Sequence, residues 1–166
     1  MSTPATTPTG TTAPERPAEL EAWVSLLRAH AAATRRFNRE LMASHGLTIN
    51  DFEVLVHLAH SDDGRLRRVD LAERVLLTAS GITRLLDGLQ ASGYVDKAAC
   101  SSDARVTYAV LTEAGLEKLR SAAVVHVAGI HAKFAEHYSD VELATLAELL
   151  SRLDGSGPDG EACEPE

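Results

Sequence analysis

Apolar residues recur at three- and four-residue steps through Leu20, Trp23, Val24, Leu27, Ala31, Phe37 and Leu41, with Thr34 on the same stripe. That period is the buried face of an amphipathic helix over about Pro17–Ser44. His45-Gly46 ends it, the glycine being suited to the left-handed position that follows a helix. Thr48 and Asp51 stand as N-cap and third residue of a second helix, with Asp in place of the usual Glu of a capping box. This helix carries Phe52, Val54, Leu55 and Leu58 to about His60, and Ser61-Asp62-Asp63-Gly64 turns the chain. Arg65–Arg68 is read as a short strand, and Asp70–Leu76 as a short helix with Leu71, Ala72 and Val75 inward. Thr78 caps another helix to about Ala91, whose buried face is Ile82, Leu85, Leu86 and Leu89, with Gly93 closing it. The period then shortens. Tyr94–Ala99 and Arg105–Leu111 are strand-like, rich in β-branched and aromatic residues in the second run, and predict a hairpin around Cys100–Ala104. Thr112 caps a long helix from Glu113 to about His137, bearing Leu116, Leu119, Ala123, Val127, Ile130 and Phe134. Ser139 or Asp140 caps a last one with Val141, Leu143, Leu146, Leu149, Leu150 and Leu153.

The order predicts a mainly α fold with a small β-hairpin. A short helix, a tight turn, a second helix and a two-stranded hairpin make a winged helix-turn-helix. Its core spans about 48–112, between long helices at about 18–44 and 113–153, so the folded domain is 18–153. Residues 1–17, made mostly of Thr, Pro, Ala and Gly, are expected to be a disordered arm, and 154–166 an acidic disordered tail. A chain of 166 residues that is 45% hydrophobic supports one sizeable core. With aromatics at only 4%, Leu, Val and Ala must fill it.

The net charge of −8 argues at first against a nucleic-acid partner, because such domains usually carry a basic excess. Its distribution changes that. Residues 154–166 carry −5, whereas Gly64–Arg105 holds seven basic residues against five acidic. No apolar run approaches the roughly 18–20 residues that span a bilayer, and the N-terminus lacks the basic and apolar regions of a secretory signal. Two cysteines, Cys100 and Cys163, make no disulfide framework, which suits the cytoplasm. Zinc-finger spacing, Gly-rich phosphate loops and a nucleophile elbow are all missing, so neither an enzyme nor a cofactor is expected.

Binding chemistry collects on the helix after Thr78. Opposite its apolar face stand Ser80, Thr83, Arg84, Asp87 and Gln90. Small residues allow close approach to a major groove, and hydroxyls and Arg meet base edges and phosphates. Thr78 and Ser80 sit where the helix N-terminus favours a phosphate. At the hairpin tip Arg105 can enter a minor groove, with Asp103 orienting its guanidinium.

The stretch from Val69 to Gly115 resembles the MarR family of bacterial transcriptional regulators. The matching pieces are Asp70-Leu71-Ala72, the S-x-x-T-R of Ser80, Thr83 and Arg84, the D-x-R of Asp103 and Arg105, and the L-T-x-x-G of Leu111, Thr112 and Gly115. With the flanking helices the resemblance covers about Leu20–Leu153. It implies a homodimer, a palindromic double-stranded DNA operator, and a repressor released by a small ligand, with aromatic acids and phenols as the first ligand class. It places DNA contacts on Ser80, Thr83 and Arg84, beside the Thr78 already read from the helix start, and on Arg105 with Asp103 as its partner. The wing departs from the pattern, since Lys97 and Arg105 are its only basic residues and Ala104 stands where a second Arg is common. Fewer phosphate contacts and a shallower salt dependence follow. The dimer also has an independent argument: the terminal helices carry apolar stripes too long for one lobe to cover. Two-fold pairing would set two recognition helices about one DNA turn, roughly 34–36 Å, apart.

An effector pocket between the terminal helices and the winged lobe would draw on Trp23, His30, Phe52 and His57, although aromatic residues on apolar stripes usually fill cores. The pairs His57 with His60 and His126 with His131 lack accompanying ligands and predict no metal site. Cys100 has neither a resolving cysteine nor a strong cationic neighbour in sequence. The alternative reading is a winged helix used for protein–protein contact, which would not need Ser80, Thr83, Arg84 and Arg105.

Overall fold

The structure is a computed structural model in which residues 17–61, 63–99 and 106–154 are described. Expectations for the N-terminal arm, the acidic tail, and the tip residues Cys100, Asp103, Ala104 and Arg105 lie outside them, as does Cys163. The elements are α1 (Ala18–His45), α2 (Ile49–Ala59), β1 (Arg65–Arg67), α3 (Arg68–Arg74), α4 (Ala79–Ala91), β2 (Val95–Ala99), β3 (Thr107–Leu111), α5 (Glu113–Ala135) and α6 (Asp140–Asp154). The chain divides after Arg35, inside α1, into two compact units. In the first, Leu20, Trp23 and Leu27 are exposed.

The second unit is the winged helix-turn-helix. Its core joins Leu41 and Leu47 to Phe52, Val54, Leu55 and Leu58 of α2, Leu71 and Val75 around α3, and Ile82, Leu86 and Leu89 of α4. Val95, Ala109, Leu119 and Ala122 close it from the sheet and α5. Local chemistry sets the helix starts. Thr48 and Asp51 form the full capping box, each satisfying the other's backbone N–H. Thr78 and Thr112 accept from the amides of Gly81 and Gly115. Ser139 caps α6, its amide and hydroxyl both donating to Glu142. These bonds favour the carboxylate and hold the pKa of Glu142 below its usual value. Gly46 and Gly93 take the left-handed conformation after their helices, at φ 66 and 76.

The expected hairpin of β2 and β3 forms, and β1 extends it to a three-stranded antiparallel sheet of order β1-β3-β2, in which Leu66 pairs with Ala109 and Arg67 with Tyr108. Two expectations are corrected. Helix α3 begins at Arg68, two residues before Asp70, and the Asp70 carboxylate in its first turn holds the guanidinium of Arg67 with both oxygens, at 2.8 and 2.9 Å. At its far end Leu76 lies outside the helix, in the left-handed region at φ 53, and is 92% exposed. A non-glycine residue there costs about 1–2 kcal/mol, which the packing of α3 on α4 must offset.

Candidate nucleic-acid interface

Helix α4 is fixed by one face and open on the other. Ile82, Leu86 and Leu89 are buried, while Thr78, Ser80, Arg84, Asp87 and Gln90 are exposed. Thr78 Oγ1 takes the Gly81 N–H at 3.1 Å and lies 3.2 Å from Ser80 Oγ, so these two hydroxyls sit side by side at the helix start. A Cβ on Gly81 would lie 3.2 Å from Thr78 Oγ1, which keeps this turn free of larger side chains. Thr83 is half-buried, donates to the Ala79 carbonyl at 2.7 Å and accepts from Arg68 Nη1 at 3.4 Å. Arg84 makes no side-chain hydrogen bond or ion pair among the described residues. Four of the residues expected to touch DNA therefore share one end of one helix. The other two, Asp103 and Arg105, belong to the undescribed segment between β2 and β3.

A basic border that the sequence reading treated only as strand and net charge runs beside this helix. Arg65 bonds Asp63 at 2.9 Å and lies over the Tyr108 ring, 5.4 Å from its centroid. Arg67 is held by Asp70, and Lys97 of β2 pairs with Asp87 of α4. Arg68, Thr83, Leu86, Lys97, Thr107, Tyr108 and Ala109 line a notch of about 150 Å³ where α4 meets the sheet. The signal in the sequence was the run Arg65-Leu66-Arg67-Arg68 directly ahead of the helix-turn-helix.

The four residues expected in an effector pocket fall in both units. Trp23 and His30 are exposed on the first unit. Phe52 is buried in the core of the second, and His57 is half-buried on α2. His126 of α5, weighed in the sequence only as half of a histidine pair, packs against Phe52 and edge-on to Phe37, with ring centroids at 4.8 and 5.4 Å. Its Nδ1 is buried and has no hydrogen-bond partner among the described residues. Desolvation pushes its pKa down, against smaller opposing effects of Glu40 and Glu53. Among the described residues no group of three or more His, Cys, Asp or Glu is placed to hold a metal. No described helix is long and apolar enough to cross a membrane.

Comparison with known proteins agrees with this geometry. A MarR family model matches residues 45–106. The chain is 34% identical over 111 residues to the HTH-type transcriptional repressor YetL of Bacillus subtilis (strain 168), covering 67% of this chain and 66% of that protein. It is similar to the crystal structure of AbsC, a MarR family transcriptional regulator from Streptomyces coelicolor, at 31% identity and TM-score 0.74, over 86% of this chain and 96% of that one. Sco3205, a MarR family transcriptional regulator from the same organism solved in complex with DNA, is 27% identical with TM-score 0.75, over 91% of this chain and 96% of that one.

Proposed function

Since the chain belongs to the MarR family of transcriptional regulators, we propose that it is a homodimeric, sequence-specific DNA-binding repressor that a small effector releases. The observation that carries DNA binding is the two-faced α4. Its apolar side is locked into the core, and its N-terminal polar side stands clear beside a small sheet with a basic border. In this reading Thr78, Ser80, Thr83 and Arg84 enter the major groove. The tip between β2 and β3 brings Arg105, oriented by Asp103, to the minor groove. The DNA complex of the similar Sco3205 supports the partner class, and the repressor YetL supports the direction of control.

The assembly has its own support. Beyond Ala122 the outward face of α5 is apolar, with Ala123, Val124, Val127, Ala128, His131 and Ala132 along an open groove of about 710 Å³. Val141, Leu149 and Leu153 of α6 are exposed as well. A second copy of the chain would cover such surface. The winged core over about 48–112 then reads DNA, and the helices over about 18–44 and 113–153 pair the subunits. Effector release rests on the family resemblance alone.

Titration of the protein against DNA from upstream of its own gene, at several salt concentrations, tests the reading. Saturable binding to a palindrome is expected, weakening as salt rises. Arg105→Ala should weaken it by a factor of roughly 5–100, the worth of one groove contact. Absence of saturable, salt-sensitive binding by the wild type overturns the proposal.

A further inference from the structure

A duplex read in its major groove by α4 and in the adjacent minor groove by the wing has one obligatory geometric consequence. The sugar-phosphate strand that separates those grooves must cross the protein surface between α4 and the sheet. The notch lined by Arg68, Thr83, Lys97, Thr107 and Tyr108 lies in that place. It gathers two cations from distant parts of the chain, one at the start of α3 and one on β2, because β1 and β2 flank β3. Neither cation is locked in place: Arg68 reaches Thr83 Oγ1 only at 3.4 Å, and Lys97, though close to Asp87 at 2.5 Å, shares a pair whose carboxylate is 54% exposed to solvent and open to exchange.

We propose that this notch seats a backbone phosphate of the crossing strand, with Arg68 and Lys97 as its cations. The proposal rests on the DNA-binding reading above and adds contacts that neither the recognition-helix motif nor the wing motif contains. On binding, Lys97 exchanges the Asp87 carboxylate for the phosphate, and Arg68 exchanges a long bond to a neutral hydroxyl for a charge-assisted one. Asp87 becomes a brake. It neutralises Lys97 in the free protein and repels phosphates that approach in the wrong register. The notch carries no base-reading geometry, so its contribution is the same for every sequence. Arg68, which lies outside the wing, adds a phosphate contact to the single lysine that the arginine-poor wing contributes here.

The test uses the full-length protein and fluorescence anisotropy on two duplexes, the palindrome upstream of its own gene and an unrelated sequence of equal length, from 50 to 200 mM salt. Arg68→Met and Lys97→Met should each flatten the salt slope by about 0.9 and weaken binding to both duplexes alike. Lys97→Arg should keep the wild-type slope, and Asp87→Asn should tighten both complexes. A second arm changes the DNA. Neutral methylphosphonates at the phosphates between the two contacted grooves should weaken the wild type and cost Lys97→Met less, the non-additivity of a shared contact. If the wild type binds but the Met variants keep its slope, or lose only the palindrome, the notch is not a phosphate seat and the DNA reading stands. If the wild type binds neither duplex, that reading fails and the notch with it.

Discussion

His126 shows how one residue ties stability to pH. Its ring sits between Phe37 of α1 and Phe52 of α2, and its Nδ1 is cut off from solvent. Desolvation disfavours the imidazolium more than Glu40 and Glu53 favour it, so the folded-state pKa lies below the ordinary 6.5. The unfolded chain therefore takes up the proton first. Stability is fully present above about pH 6.5 and is lost as the pH falls toward the lowered folded-state value. Melting temperatures followed from pH 8 to 5 should drop on the acid side for the wild type. They should drop less for His126→Phe, which keeps an aromatic ring and removes the titration. Identical acid-side losses in both proteins would mean that the imidazole titrates as if unfolded. In the sequence His126 stands out only as half of a pair with His131, and nothing there points to its aromatic packing. It stands on the apolar side of α5 only after Phe37 and Phe52 are brought against it, and both come from other helices.

At the scale of elements, the junction between the sheet and α5 explains one of the motifs by which the chain resembles its family. Thr112 donates its backbone N–H to the Tyr94 carbonyl at 3.2 Å and its hydroxyl to the Gly93 carbonyl at 2.7 Å, and it accepts from Gly115 N–H at 3.0 Å. A Cβ on Gly115 would lie 2.1 Å from the Tyr94 oxygen and 2.9 Å from Leu111 Cδ1. In an exposed helix interior Gly→Ala would stabilise by about 0.8–1 kcal/mol. Here the clash reverses the sign, and Gly115→Ala should cost about 1–3 kcal/mol or more. Urea unfolding at unchanged m reads this directly, and a gain in stability would show that α5 can slide off Tyr94. The helix starts were legible in the sequence because a cap is a contact within three residues, as at Thr48, Thr78 and Thr112. The short strand at Arg65 was legible too, but its place in the sheet was not. Arg65-Leu66-Arg67 has one apolar residue and no intrinsic partner until β3 lies beside it, some forty residues on. The phosphate notch escaped for the same reason, since Arg68, Thr83 and Lys97 meet only through that pairing. The polar face of α4 was legible because it lies within one helix. Leu76 reads as a helix residue by its apolarity, and only its positive φ shows that the turn between α3 and α4 begins there.

For the whole molecule, a net charge of −8 describes the C-terminal stretch more than the winged lobe, where the basic residues gather beside α4 and the sheet. The same contrast separates the apolar surfaces. Helix α5 buries Gly115, Leu119 and Ala122 in the lobe, and then leaves Val124 71% and Val127 61% exposed. In the proposed dimer this is the surface that a second copy would cover. If a second copy covers it, a charge there must be desolvated without a partner when the dimer forms, a penalty of several kcal/mol per buried ion. The double variant Val124→Glu/Val127→Glu should therefore sediment as a 17.7 kDa monomer where the wild type sediments at twice that mass. The substitutions lie on the exposed side, so the helical circular dichroism of the lobe should survive. DNA binding separates the two scales. A monomer keeps one α4 and one notch and should still bind, but it loses the gain from tethering two half-site contacts, about a hundredfold or more. A variant that remains dimeric would place the interface on another face. A monomeric variant with undiminished affinity would mean that one lobe reads the whole site, and the palindrome would lose its structural reason.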